Sequence, residues 1–161
     1  MTVTEDDIKA AGERAAALFY EGYNCSQSVF GALAPYFDMD FETALRVSAS
    51  FGGGMGRLRH VCGAVSGAFM AIGMYNGCTD PKDRAGKTAN YALVRKFAED
   101  FTSVRGSIVC REILHIAPDQ NAAPSERTAE FYKTRPCAEI IRESASLALR
   151  LISLNPPQQP C

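Results

Sequence analysis

The cysteines are the residues of this chain with the clearest chemical potential. Six occur among 161 residues, and four of these fall where local signals predict the first turn of a helix: Cys25, Cys62, Cys110 and Cys137. The first turn of a helix has unpaired N–H groups and about half a positive charge, which stabilises a thiolate and lowers the pKa of a cysteine. Four cysteines placed in this way predict redox or metal chemistry.

The spacing of the cysteines means that any site must be assembled by the fold. No two of them form a C-x-x-C pair, which removes the usual sequence support for thioredoxin-like exchange and for a zinc ribbon. If one helix joins Cys62 to Cys78, their Cα atoms lie about 24 Å apart, which is too far for a disulfide. We interpret Cys78 and Cys161 as bystanders.

A purely structural interpretation of the cysteines competes with the chemical one. Free cysteine is among the most buried residue types, so each thiol alone is compatible with a small apolar core residue. Basic residues lie near three of the four, with Arg59 before Cys62, Arg111 after Cys110 and Arg135 before Cys137. Adjacent helical residues point about 100° apart, so sequence proximity alone does not place a charge beside a sulfur.

A glycine-rich segment, GGGMGR over 52–57, precedes the second of these cysteines. Its N–H groups could form a nest for an anion, with arginine adding positive charge. No predicted strand precedes it and the glycine spacing differs from a dinucleotide fingerprint, so a flexible connection between helices is the competing interpretation. The predicted cofactor-binding residues are Gly53, Gly54, Gly56, Arg57 and Arg59.

Small residues continue immediately beyond this segment. Gly63, Gly67 and Ala71 recur at four-residue spacing and form a stripe that lets another backbone approach closely. Tight helix packing is the interpretation we favour. It has a chemical consequence if it brings other helix starts to Cys62.

Composition and charge limit the partners and the location. Lys and Arg total 17 against 18 Asp and Glu, and neither sign forms a block, so we expect no nucleic-acid partner. The uncharged stretch 61–79 contains four glycines and suits a buried helix, so we expect no membrane insertion. The acidic N-terminal segment lacks the features of a secretory signal, which predicts a cytoplasmic, reducing location.

The elements that position the cysteines are predicted from capping and breaking signals. Thr4 can cap a first helix that runs to about Tyr20, and Asn24 can cap the helix of the first cysteine. Further helices are predicted over 41–50 and 61–76 from their apolar spacing.

The second half of the chain is also predicted to be helical. Residues 79–81, Thr-Asp-Pro, are typical of the start of a long amphipathic helix, which Gly106 would end. Ser107 can cap the helix of the third cysteine. Thr134, with Pro136 in the first turn, can cap the last helix, which begins with the fourth.

These patterns predict an all-α fold, because no alternating strand pattern or internal repeat is present. We expect a compact single-domain multi-helix bundle over 1–154, with a buried central helix near residues 61–76. A flexible, proline-rich C-terminal tail is predicted over 155–161.

The order of the cysteines and their surrounding residues resembles the redox-active protein family named C_GCAxxG_C_C. The resemblance covers nearly the whole chain and leaves Cys78 and Cys161 outside the pattern. It selects the same four cysteines and implies a redox role without naming a substrate. The segments that carry it are Cys25, FGGGMGRLRHVCGAVSGAFMAIG with Cys62, Gly63, Ala64 and Gly67, GSIVCREIL with Cys110, and RPCAEII with Cys137.

The leading hypothesis is that the four cysteines converge at helix N-termini into one site for thiol–disulfide exchange or electron transfer. The protein would then be a thiol-dependent oxidoreductase without a cofactor, with Cys62 as the attacking thiol because an exposed-looking loop precedes it. One alternative is that the same four cysteines bind an iron–sulfur cluster or zinc. Another is a non-catalytic helical interaction module with inert cysteines. The redox partner is unidentified, and a homo-oligomer is compatible with all three hypotheses.

Overall fold

The computed structural model describes residues 2–157, and this part of the chain contains α-helices and no β-strand. The predicted all-α class is confirmed. Two short 3₁₀ turns, Ala34–Phe37 and Ala49–Phe51, follow the second and third helices. The eight helices between residues 2 and 157 are α1 (Glu5–Tyr20), α2 (Cys25–Leu33), α3 (Phe41–Ser48), α4 (Gly63–Asn76), α5 (Arg84–Arg105), α6 (Cys110–Leu114), α7 (Ala129–Thr134) and α8 (Cys137–Leu154).

The centre of the bundle is α4, which packs against α2, α5 and α8. Its composition is apolar on all sides, and Ala64, Val65 and Ile72 are completely buried. Helix α1 completes the core by packing along α8 and α2. The predicted buried helix near 61–76 is therefore confirmed, with its first helical residue at Gly63. None of the helices between residues 2 and 157 combines the length and apolarity needed to span a membrane.

The first two helix starts follow the predicted capping signals. The Asp7 N–H donates to the Thr4 hydroxyl at 3.2 Å, and the Thr4 N–H donates back to the Asp7 carboxylate at 2.8 Å. Asn24 and Gln27 make the same reciprocal pair at the start of α2. Each pair is a capping box, which satisfies two N–H groups that the helix leaves unpaired.

The predicted starts of three later helices are wrong by a few residues. Helix α5 begins at Arg84 with Asp83 as its cap, because the Asp80 carboxylate instead accepts the Lys82 N–H in a turn. The Ser107 hydroxyl accepts the Val109 N–H at 3.0 Å, so it stabilises the turn before α6 and does not cap the helix. Thr134 ends α7, and Pro136 itself occupies the N-cap position of α8. Residues 158–161 of the predicted tail, including Cys161, lie outside the described residues.

Candidate functional site

Four helix starts meet at one cavity of about 280 Å³. Cys25, Cys110 and Cys137 are the first residues of α2, α6 and α8, and Cys62 is the N-cap residue of α4. The side chains of all four line this cavity. The fold therefore brings together the four cysteines that the sequence pattern singled out.

Close packing of α2 on α4 places the first two cysteines next to each other. An ideal Cβ atom at Gly63 would lie 2.6 Å from the Cys25 Sγ and 2.9 Å from the carbonyl oxygen of Phe51. A Cβ atom at Gly67 would lie 2.8 Å from the carbonyl oxygen of Ser26. The close approach predicted for this stripe is confirmed. It places the Cys25 sulfur against the residue that follows Cys62.

Backbone pairing aligns the segments that precede α4 and α6. The Cys62 N–H donates to the carbonyl of Ile108 at 2.8 Å, and the Cys110 N–H donates to the carbonyl of His60 at 2.6 Å. Val61 and Val109 form an antiparallel bridge between these two bonds. This pairing sets the position of the third cysteine relative to the second.

The glycine-rich loop has a left-handed, hydrogen-bonded conformation. Five consecutive residues, 53–57, have φ between 57° and 68°, and Arg59 has φ 61°. The N–H groups of residues 55–60 all donate to backbone carbonyls of residues 50–55. The N–H groups of residues 55–57 are therefore not available to the predicted anion nest. At Gly54, a Cβ atom would lie 2.7 Å from the Cβ of Cys110, so only glycine fits beside this cysteine.

Two arginines of the loop line the cavity. Arg59 is 6% exposed, and its Nη1 lies 3.8 Å from the Cys110 Sγ as a hydrogen-bond donor. Arg57 forms an ion pair with Asp119 at 3.1 Å and donates to the carbonyl of Asn121. The predicted residues Gly53, Gly56, Arg57 and Arg59 line the cavity, whereas Gly54 is buried behind Cys110. The loop thus brings two guanidinium groups to the wall of the cavity.

Two more arginines line the cavity from the opposite side. Arg127 donates to the carbonyls of Phe19 and Tyr23, both at 3.0 Å, and its Cζ lies 4.3 Å from the centre of the Phe19 ring. Arg135 lies 5.4 Å above the Phe131 ring. Sequence reasoning missed Arg127, because it is ten residues from the nearest cysteine and lies in a segment with no helical signal.

A family model described as "Putative redox-active protein (C_GCAxxG_C_C)" matches residues 23–151, which include all four cavity cysteines. The chain belongs to this family. Membership supports a redox role for the protein. No curated protein and no solved structure matches the chain.

In this C_GCAxxG_C_C member, three of the four cavity thiols do not have the lowered pKa values predicted from their helix starts. Burial raises the pKa of Cys62, a charge on Cys25 raises it further, and hydrogen bonds from the N–H groups of Ala64 and Val65 oppose the change. Burial likewise raises the pKa of Cys137 to about 12. The pKa of Cys110 is raised by burial and lowered in part by the Arg59 hydrogen bond. The prediction is wrong for these three because loss of hydration outweighs the helix N-terminus.

Exposure differs among the four thiols. Cys62 is 8% exposed and Cys110 is also buried, whereas Cys25 and Cys137 are half-buried. A charge on Cys25 raises the pKa of each of the other three thiols, after the larger effect of burial. A charge on Cys25 therefore affects the pKa of every other cysteine of the cavity.

The donor geometry bears on the metal alternative. Across residues 2–157, no three His, Cys, Asp or Glu side chains converge as ligands of one metal ion would. Cys25, Cys62, Cys110 and Cys137 are free thiols. Ligation of a single zinc ion by these cysteines, one form of the alternative prediction for this family member, therefore has no support in the donor geometry.

Proposed function

We propose that this protein is a thiol–disulfide oxidoreductase in which Cys25 and Cys62 alternate between dithiol and disulfide. One observation carries the proposal: the Cys25 sulfur lies against the first residue of α4, next to Cys62. Family membership supports the redox role in general terms. Exchange requires one accessible attacking thiol and one resolving thiol within disulfide reach, and contact of the Cys25 sulfur with the residue that follows Cys62 supports these roles for the pair.

The proposed roles follow from exposure. Cys25 is half-buried and lines the cavity, so an incoming disulfide can reach its sulfur more readily than that of the buried Cys62. Cys62 is buried, which suits a resolving thiol because its target is Cys25 and not a molecule from solvent. The hydrogen bonds from the N–H groups of Ala64 and Val65 favour its thiolate at the moment of attack.

The proposed exchange balances in two steps. The Cys25 thiolate attacks one sulfur of a substrate disulfide R–S–S–R′, so that a Cys25–S–S–R bond forms and R′S⁻ leaves. The Cys62 thiolate then attacks the Cys25 sulfur, so that the Cys25–Cys62 disulfide forms and RS⁻ leaves. The protein loses two electrons and the substrate gains them. The two protons released by the cysteines end on the two product thiols.

Cys110 and Cys137 form a second dithiol at the same cavity. A charge on Cys110 raises the pKa of Cys137, so the two thiols lie within electrostatic reach of each other. By the same exchange chemistry, this second pair can reduce the Cys25–Cys62 disulfide and become oxidised in its place. In this role it would pass electrons between an external reductant and the substrate.

Disulfide mapping after limited oxidation tests the proposal. The protein is purified without oxygen, treated with one equivalent of a low-molecular-mass disulfide, blocked with an alkylating reagent, and digested for mass spectrometry. We expect the loss of two thiols per chain and a peptide pair linked through Cys25 and Cys62. Unchanged thiols would contradict the proposal and favour the interaction module. Stoichiometric iron and sulfide, or zinc, in the purified protein would contradict it in favour of the metal alternative.

A further inference from the structure

The charged side chains that line the cavity of the four thiols are all positive. Four arginines line it, and no Asp, Glu or Lys is present among the described residues of its wall. We infer that the substrate of this site is a small anionic disulfide, one that carries a carboxylate or a similar anionic group near its sulfur atoms. This inference rests on the proposed exchange function and adds the chemical class of the substrate.

Two of the four arginines have donors that are not used by the protein. Within residues 2–157, the Arg135 guanidinium makes no hydrogen bond or ion pair, and its contact is the face of the Phe131 ring. The Nε of Arg57 is buried and has no hydrogen-bond partner. A buried, unpaired N–H of a charged group costs free energy that an anionic partner would recover. These two side chains are therefore the proposed anion-binding donors.

The other two arginines have defined partners. Arg59 donates to the Cys110 sulfur, and Arg127 donates to two backbone carbonyls. Among the four, Arg57 has the one carboxylate partner in the described part of the chain, which is Asp119. The cavity consequently retains positive charge when the thiols are protonated. Since burial keeps the pKa of Cys62 and Cys137 high, these thiols do not neutralise that charge.

The size of the cavity favours a small molecule over a protein segment. About 280 Å³ is close to the lower end of the ~300–1,000 Å³ that is typical of ligand pockets. Ala122, Pro124 and Ser125 form part of its wall, and the loop that carries them is held at one end by Arg57 and at the other by Arg127. A disulfide within a folded partner would have to displace this loop, whereas a small disulfide would not.

The test compares two probe disulfides that differ in charge. Reduced wild-type protein reacts with 5,5′-dithiobis(2-nitrobenzoate), which has two carboxylates, or with neutral 4,4′-dithiodipyridine, and the second-order rate constants are measured by stopped flow. Arg135→Gln removes the free guanidinium, and Arg135→Lys keeps the positive charge. Arg150→Gln is the matched control, because Arg150 pairs with Glu5 and lies about 20 Å along α8 from Cys137.

We expect Arg135→Gln to lower the rate constant for the dianionic probe about tenfold more than that for the neutral probe, as loss of one charge-assisted contact would. Arg135→Lys should recover most of this selectivity, and Arg150→Gln should change it less than twofold. Arg57→Gln should act in the same direction as Arg135→Gln. Circular dichroism confirms that each variant is folded.

The outcomes distinguish failure of the anionic-substrate inference from failure of the exchange function. If Arg135→Gln slows both probes equally, the arginine acts on the thiols, and the anionic substrate is overturned while the exchange function stands. If Arg150→Gln has the same effect as Arg135→Gln, the selectivity comes from net charge and the inference is also overturned. If neither probe reacts with the reduced wild-type protein, the exchange function itself fails.

Discussion

The two ends of helix α4 each have a cysteine nearby, in very different surroundings. At the N-terminal end, Cys62 is buried beside three other thiols and four arginines. Two residues beyond the C-terminal end, Cys78 is half-buried near the start of α5. There the Gly86 N–H and then the Cys78 thiol donate to Asp83 and lower the pKa of its carboxyl. The chemistry of a cysteine here depends on what the fold places around it.

The glycines of α4 show the same contrast. At Gly63 a Cβ atom would collide with the Cys25 sulfur and with a backbone carbonyl, whereas at Gly73 no atom lies within 4 Å of the corresponding position. The first glycine is needed for helix contact, and the second is not. One helix therefore has a tightly constrained end that forms the candidate site and a loosely packed end that does not.

The largest expected effect is on disulfide reduction. Cys25→Ser should lower the rate of reduction of a substrate disulfide by about 100-fold or more, because a hydroxyl does not replace a thiolate nucleophile. Cys78→Ser is the matched control and should change the rate less than twofold. Both are measured as turnover with an excess of thiol reductant. Equal effects of the two substitutions would contradict the proposed difference between the two ends of α4.

Adding a methyl group at the constrained end should destabilise the fold. Gly63→Ala should lower the free energy of unfolding by about 1–3 kcal/mol, because the new Cβ forces apart the Cys25 sulfur and the carbonyl of Phe51. Urea unfolding followed by circular dichroism measures this change. A stability equal to that of the wild type would mean that α2 and α4 do not approach as closely as described.

The pH dependence of stability tests burial of the thiols. The pKa of Cys137 rises from 9.0 to about 12 on folding, chiefly through burial. Between these values the unfolded chain has lost the proton and the folded protein retains it. The stabilisation is therefore complete below the unfolded pKa and decreases as the pH rises, by up to about 1.4 kcal/mol per pH unit.

Cys137→Ser should remove this contribution, so that its free energy of unfolding falls less steeply with pH than that of the wild type. The measurement is urea unfolding under reducing conditions between about pH 8 and pH 11. If Cys137→Ser keeps the wild-type slope, the fourth thiol is ionised in the folded protein.

The smallest expected effect is a gain in stability. Gly73→Ala should raise the free energy of unfolding by about 0.5–1 kcal/mol, because alanine restricts the unfolded chain and the open space accepts its methyl group. The same urea experiment as for Gly63→Ala measures it. Destabilisation here would show that the C-terminal end of α4 is as tightly packed as the N-terminal end.

Much of the fold could be predicted from the sequence, because caps act within a few residues. Thr4 and Asn24 cap their helices as predicted, and the four cysteines stand at helix starts. The predicted caps failed because nearby groups offer other partners: the Asp80 carboxylate accepts the Lys82 N–H, the Ser107 hydroxyl accepts the Val109 N–H, and the Thr134 hydroxyl donates to the carbonyl of Glu130. Which of these partners a side chain binds depends on where the tertiary structure makes the chain turn.

The sequence by itself determined the helical class, the small-residue stripe after Cys62 and the identity of the four candidate cysteines, since these depend on local spacing. Only the tertiary structure decided that the four thiols share a cavity with Arg127 and Arg135, and that the pKa values of Cys62, Cys110 and Cys137 rise. A thiol loses hydration when segments that are distant in the sequence pack over it. No local pattern predicts this packing, and here the loss of hydration outweighs the effect of the helix N-terminus on the pKa.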